Sequence, residues 1–284
     1  MASSRAWAKA ARIEQALLAP LSVAVGSAYA HFDAQPGPGL SAHVVVTVGA
    51  LAAAVGVNLL DHAAEQMRAP PPDPKNPIAE EASPLPARDA AVGGGAAIVL
   101  AALCGLGLVP LSGAAAAGYG TLAVILGVAR GLPAVGLDAL GWSLSEFATI
   151  LALGPLAASA GFASQAGAGS WGAVLAGLPA GLVAATPSLD RRFTRGPAGP
   201  ELRQALVALP LLAAAAVMLA VRAGEYGRLA FGAAVPMLLA AVVGWRAPEP
   251  LGDADRRRWS SLATGCAIAA LVLIVIALRV ATSE

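Results

Sequence analysis

Charged residues are scarce in this sequence, and their scarcity decides which class of protein it encodes. Only 12% of the 284 residues are Asp, Glu, Lys or Arg, whereas a soluble domain contains about 25%. Hydrophobic residues make up 57% of the chain, and the mean hydropathy is +0.71. A chain of this size cannot hide so much apolar surface in one core. The composition therefore excludes a soluble globular domain and predicts a polytopic membrane protein.

Cysteine and histidine are also rare, which argues against a disulfide and against a metal site built from these residues. The two cysteines, Cys104 and Cys266, lie in apolar stretches, so we predict core residues rather than a disulfide or a metal site. The three histidines, His31, His43 and His62, are too scattered to indicate a metal triad. A net charge of +1 without a basic stripe excludes nucleic acid as a partner.

Long apolar runs predict an all-α fold in one transmembrane domain over residues 1–284. Nine stretches can cross about 30 Å of hydrocarbon, and they lie near 13–31, 40–60, 90–110, 113–129, 144–166, 170–189, 203–221, 228–245 and 260–280. A faint repeat aligns Pro20 and Gly26 with Pro155 and Gly161 at equal spacing. It divides the chain into two four-helix units, 13–134 and 144–245, and leaves the ninth helix, 260–280, outside them.

The distribution of cations predicts the orientation of these helices, because cytoplasmic loops carry an excess of Lys and Arg. With the N-terminus in the cytoplasm, only Arg222, Arg228 and Arg279 of the 18 lysines and arginines lie outside. The long connections at 61–89 and 190–203 are then cytoplasmic as well. We therefore expect a multi-pass protein of a bacterial-type inner membrane.

Polar residues cluster where the second apolar run ends, in VNLLDHAAEQ (57–66). On a helix that turns about 100° per residue, Asn58, Asp61, His62 and Glu65 project from one face. One interpretation is a solvated helix end. The other is a site for a divalent cation and a phosphate, because Mg²⁺ prefers carboxylate oxygens and substrate phosphates.

Four stretches together resemble the UbiA superfamily of intramembrane prenyltransferases, and most closely its 1,4-dihydroxy-2-naphthoate (menaquinone) branch. They are VNLLDHAAEQ, the opening WAKAARIEQALLAPLSVAVGSAYA, the fifth helix LGWSLSEFATILALGPLAASAGFASQAG, and GLPAGLVAA at the start of the sixth. The resemblance covers roughly the first 190 residues. It implies nine helices around a central cavity, with the connections at 61–89 and 190–203 as its cytoplasmic cap.

The resemblance also implies an activity, which is transfer of an isoprenyl group from a polyprenyl diphosphate to an aromatic acceptor in the membrane. It implies Mg²⁺ as cofactor, with Asp61, Glu65 and Asp190 as metal ligands, Asp73 as a further ligand and Asn58 beside them in the catalytic site. The side chains that would neutralise the diphosphate are Lys75, Arg130, Arg191 and Arg192.

The acidic motifs are thinner than is usual in that branch. His62 and Trp142 stand where acidic residues are expected, and Asp190 is alone in the second motif. The alternative function is therefore a non-catalytic relative that binds a quinone or isoprenoid or serves as an accessory subunit of a membrane complex, and a transporter-like role also stays open. We interpret Ser143, Ser145 and Glu146 as a helix cap.

Overall fold

A computed structural model describes residues 3–33, 39–68, 85–131, 142–193, 200–223, 226, 228–246 and 253–281. Its α-helices are α1 (Ser4–Ala11), α2 (Ile13–Ala16), α3 (Leu18–Phe32), α4 (Leu40–Arg68), α5 (Ala87–Ser112), α6 (Ala114–Gly131), α7 (Trp142–Leu151), α8 (Ala157–Ala166), α9 (Trp171–Phe193), α10 (Pro200–Ala223), α11 (Phe231–Arg246) and α12 (Asp253–Ala281). A π-helical turn (Ala152–Leu156) joins α7 to α8, and a 3₁₀ turn (Arg228–Ala230) precedes α11. The described residues contain no strand, which confirms the all-α prediction.

Helix length and composition show a multi-pass membrane protein. Five described helices are long and apolar enough to cross a bilayer, namely Leu40–Met67, Ala87–Ser112, Leu144–Ala166, Gln204–Ala223 and Ser261–Ala281. Three shorter apolar helices are Ala114–Arg130, Trp171–Thr186 and Arg228–Gly244. Each of the nine predicted stretches overlaps a helix. The count of nine spans and the cytoplasmic N-terminus stay predictions.

The outward faces of these helices suit a lipid environment. After the charged first turn of α5, the large exposed side chains are apolar, namely Val92, Val99, Leu100, Leu103, Leu106, Val109 and Leu111. A contiguous apolar surface of this kind is unfavourable in water and marks contact with a membrane or a partner.

The first predicted helix, 13–31, is broken in the structure. α2 ends at Ala16 and α3 begins at Leu18, so the apolar run forms two helices. Pro20 lies in the first turn of α3, where a missing N–H is tolerated. Before α2, Arg12 adopts φ 48° and ψ 54°, and it is the one non-glycine residue with positive φ in the described part of the chain. This left-handed residue turns the chain between α1 and α2.

Both predicted cap connections are shorter than expected. α4 continues to Arg68, so residues 61–68 are helical rather than part of the connection. α9 continues to Phe193 and α10 begins at Pro200, which shortens the second connection to 194–199. Both helices therefore extend past their apolar stretches into polar sequence that includes Asp61, Glu65 and Asp190.

Two glycines let α3 and α8 approach closely. A Cβ on Gly26 would lie 1.8 Å from the Ala158 carbonyl oxygen, and one on Gly161 would lie 2.0 Å from that of Val23. Small residues at such crossings bring two helix backbones into van der Waals contact. In the predicted repeat, Gly26 aligns with Gly161 and Val23 with Ala158, so this close contact joins matching positions of the two predicted units.

Candidate functional site

An elongated cavity of about 240 Å³ lies between α2, α3, α4, α5, α6 and α8. Its walls on α4 run from Val46 to Asn58, a rise of about 18 Å at 1.5 Å per residue. One end is closed by an apolar cluster that includes Val23, Val46 and Leu108. We call this cavity the chamber.

Small side chains keep the chamber open. Its lining includes Gly49, Ala53, Gly105, Gly120 and Ala157, and a Cβ added at Gly105 or Gly120 would meet nothing within 4 Å. Polar lining residues are found at the other end, which we call the mouth, and they are Gln15, Asn58, Arg130 and Thr149. The chamber is therefore an apolar space with a polar mouth.

Asn58 fastens α1 to α4 at the mouth. It is 7% exposed, and its Nδ2 donates to the Ala11 carbonyl oxygen at 2.9 Å. Ala11 is the last residue of α1, where helix carbonyls lack partners within the helix. The amide therefore satisfies a helix end and holds Arg12, the next residue, beside α4.

Asp61 and Glu65 are bonded to arginines. Arg130 Nη2 lies 2.5 Å from Asp61 Oδ2, while Arg12 Nη2 donates to Glu65 Oε1 at 2.8 Å and to Oε2 at 3.0 Å. Arg12 Nη1 is also 3.9 Å from Asp61 Oδ2. Glu65, Arg12, Asp61 and Arg130 thus form a chain of alternating charge, which we call the mouth network, and their formal charges sum to zero.

Arg130 is held on its other side by α7. Its Nη1 donates to Thr149 Oγ1 at 3.1 Å, and that hydroxyl donates to the Ser145 carbonyl oxygen at 3.0 Å. The Arg130 side chain is 12% exposed. Two fixed partners therefore orient a largely buried guanidinium at the mouth.

The geometry of the two carboxylates tests whether the site could hold Mg²⁺. Both reach the Arg12 guanidinium, at 2.8 Å from Glu65 and 3.9 Å from Asp61, so a cation already lies between them. A Mg²⁺ ion held by these two carboxylates would require Arg12 to move aside and substrate oxygens to complete its shell. No group of three His, Cys, Asp or Glu that could hold a metal occurs in the described ranges. The described residues therefore contain no complete metal site, and Asp61 and Glu65 supply at most two ligands of one.

His62 is directed to a different partner. Its Nε2 lies 2.7 Å from Gln66 Nε2, and the same amide nitrogen donates to the Leu85 carbonyl oxygen at 2.7 Å. The imidazole therefore accepts at Nε2 and carries its proton at Nδ1. This pair ties the end of α4 to the segment before α5.

Several residues of the sequence hypothesis come together, and others lie beyond what the structure describes. Asn58, Asp61, Glu65 and Arg130 meet at the mouth. Lys75 and Asp73 lie outside the described residues. The backbone of α9 includes Asp190, Arg191 and Arg192, but their side chains are outside the described part.

Sequence reasoning missed Arg12, Gln15 and Thr149 at the mouth, because they come from distant segments. It also misread Glu146, which is 4% exposed and lies within α7 rather than capping it. Glu146 precedes Thr149, the Arg130 partner, by one turn. A carboxylate inside an apolar helix is itself a signal of function in membrane proteins, and that signal could have identified Glu146.

Together, fold and site define a class: a helical membrane protein with an apolar chamber whose mouth carries paired charges. Neither a protein-family model nor a curated protein sequence matches this chain. Solved structures do match it.

One similar structure is a digeranylgeranylglyceryl phosphate synthase, with 12% identity, 97% of this chain and 98% of that chain covered, and a TM-score of 0.58. A UbiA homolog from Archaeoglobus fulgidus, solved with GPP and Mg²⁺, has 16% identity, a TM-score of 0.59, and coverage of 94% of this chain and 99% of its own. The same homolog bound to Cd²⁺ gives a TM-score of 0.58 at equal identity and coverage. The fold is therefore that of UbiA-type membrane proteins.

Proposed function

We propose that this protein is an intramembrane prenyltransferase of the UbiA superfamily. It would transfer an isoprenyl group from a polyprenyl diphosphate to an aromatic acceptor, with a menaquinone-type naphthoate as the leading candidate and a bacterial-type inner membrane as its location. The observation that carries the proposal is the mouth network at the end of an apolar chamber. A UbiA homolog of the same fold was solved with GPP and Mg²⁺.

The mouth contains carboxylates that could bind Mg²⁺ and arginines that could bind a diphosphate. Asp61 and Glu65 would hold one Mg²⁺, which when bound supplies charge neutralisation for a departing diphosphate. Arg12 and Arg130 would then pair with phosphate oxygens, for which the planar guanidinium fork is suited. Binding of both ligands would thus replace the resting ion pairs between these carboxylates and arginines. If only one ligand bound, either the carboxylates or the arginines would be left as unpaired charges in a partly buried site, which is energetically unfavourable. We therefore expect Mg²⁺ and the diphosphate to bind together.

The chamber would receive the isoprenyl chain. Its lining between the mouth and Leu108 is apolar apart from Cys104 and Thr121, and burial of apolar surface contributes about 25 cal/mol per Å². A diphosphate at the mouth directs the attached chain into this space. The chamber therefore excludes water from the carbon at which the diphosphate leaves.

One observation favours a second candidate, a non-catalytic protein that binds an isoprenoid or quinone. All four charges of the mouth network are paired with one another at rest, so the network has no unpaired positive charge to attract a diphosphate. A neutral head group would bind without breaking those pairs.

The two candidates are separated by incubating the protein in nanodiscs with Mg²⁺, a set of polyprenyl diphosphates and aromatic acceptors. Mass spectrometry of the lipid extract then detects any prenylated product. We expect product that disappears with EDTA and with Asp61→Asn, because that change removes one of two metal ligands. Asp89→Asn on the exposed start of α5 is the matched control and should retain activity.

The other possible results of this experiment favour the second candidate, reassign the metal site or refute both candidates. Binding of isoprenoids without turnover of any donor would favour the second candidate. Metal-dependent turnover that survives Asp61→Asn would show that the first motif does not hold the metal. A protein that binds neither diphosphates nor isoprenoids would refute both candidates.

A further inference from the structure

We infer that Gln15 and Arg12 together recognise a hydroxyl group on the ligand at the mouth. The inference rests on the proposed function, because it assigns a part of the acceptor to residues of the same site. It concerns α2, a segment that the sequence hypothesis did not include in the site.

Two polar atoms on this segment are buried without a hydrogen-bond partner. They are Arg12 Nη1 and Gln15 Oε1. The two residues belong to one short segment, since Arg12 is the N-cap of α2 and the Gln15 N–H donates to its carbonyl oxygen at 2.9 Å. Buried polar atoms are nearly always paired in folded proteins, so two adjacent exceptions call for a specific partner.

Without metal or diphosphate, one side of the guanidinium is already engaged. Arg12 Nη2 donates to both oxygens of Glu65 on α4. Nη1 is 3.9 Å from Asp61 Oδ2, which is within ion-pair range but beyond a hydrogen bond. Its hydrogens therefore remain available to a ligand.

The chemistry of the two atoms specifies the group that would join them. Arg12 Nη1 is a donor and Gln15 Oε1 is an acceptor. A hydroxyl can accept from the first and donate to the second, whereas an ether or a carbonyl can only accept. Gln15 lines the chamber, so a planar apolar body attached to the hydroxyl would extend into apolar space.

Naphthol and its methyl ether test the assignment, because the ether accepts a hydrogen bond but donates none. Binding to the protein in nanodiscs is measured by calorimetry without diphosphate or metal, and empty nanodiscs correct for partition into lipid. We expect naphthol to bind about tenfold more tightly than the ether, since the ether leaves Gln15 unpaired. Gln15→Met should reduce naphthol to the affinity of the ether and leave the ether unchanged.

Thr121→Val is the matched control, because Thr121 also lines the chamber but its hydroxyl already donates to the Ala117 carbonyl oxygen. It should keep the preference for naphthol. Equal affinity of the two probes for the unaltered protein would overturn the inference and would mean that water satisfies both atoms. The unaltered protein gives this result even if Gln15→Met fails to fold.

This test is independent of turnover. A preference for naphthol without any prenyl transfer would sustain the hydroxyl site and count against the proposed enzyme. Metal-dependent prenyl transfer without a preference for naphthol would support the proposed enzyme and refute the hydroxyl site.

Discussion

The helices in the first half of the chain surround a cavity, whereas those in the second half pack into a solid core. Around the chamber, the facing positions of α4, α5 and α6 carry Ala and Gly. Between α9, α10, α11 and α12, large side chains such as Met237, Leu271, Ile274 and Leu278 are fully buried against one another. The same helical architecture therefore yields a cavity or a solid core according to side-chain size on the facing surfaces.

A buried polar group of the solid core also differs from those at the mouth. In the second half, the Tyr226 hydroxyl donates to the Ala176 carbonyl oxygen, and burial raises the pKa of this phenol, so it stays neutral and structural. In the first half, the mouth brings together four charged side chains and two unpartnered polar atoms. We expect function where buried polar groups obtain their hydrogen-bond partners from a ligand rather than from the protein itself.

The largest effect is expected at the interface that joins the halves. Gly161→Ala places a Cβ about 2.0 Å from the Val23 carbonyl oxygen, a clash of backbone against side chain that α3 and α8 can relieve only by separating. We expect loss of the monodisperse folded protein in size-exclusion chromatography. Gly265→Ala, where a Cβ would meet nothing within 4 Å, is the control, and a similar loss there would contradict the packing argument.

A cavity in the solid half should lower stability and spare the site. Met237 is fully buried, and Met237→Ala should reduce the free energy of unfolding by about 3 kcal/mol, as truncations in packed cores do. Affinity for isoprenoid ligands in the chamber should stay unchanged. Thermal melting and ligand titration on the same preparation measure both, and a parallel loss of affinity would show that the halves are coupled.

Removal of one cation from the mouth network should cost somewhat less. Arg130→Gln leaves Asp61 with Arg12 at 3.9 Å as its remaining cation, so we expect a loss of about 2 kcal/mol, below the roughly 3–5 kcal/mol seen when a buried charge loses its sole partner. The double variant Arg130→Gln with Asp61→Asn should recover part of the stability. No recovery would mean that the pair contributes little at rest.

The smallest effect on stability is expected from filling the chamber. A Cβ at Gly120 meets nothing within 4 Å, and Gly120 lines the chamber, so Gly120→Leu should block the isoprenoid while the protein stays folded. Gly118→Leu on the same helix also points to open space but is exposed and outside the lining. Equal binding by the two variants would argue that the ligand lies elsewhere.

Much of the architecture follows from local sequence. Long apolar runs demand helices in a membrane, because hydrocarbon offers no partner to an open backbone, and each predicted run overlaps a helix. The face shared by Asn58, Asp61 and Glu65 also follows from helical periodicity alone. These features depend on neighbours in sequence, so the sequence by itself determined them.

The partners of those side chains were decided by the tertiary structure. Arg12 comes from before α2 and Arg130 from the end of α6, and both converge on the polar end of α4. Nothing local to VNLLDHAAEQ indicates that its carboxylates bind guanidinium groups. The chamber likewise exists because small residues on several helices face one another. Charge pairing and empty volume both depend on distances between segments remote in sequence, and only packing sets those distances.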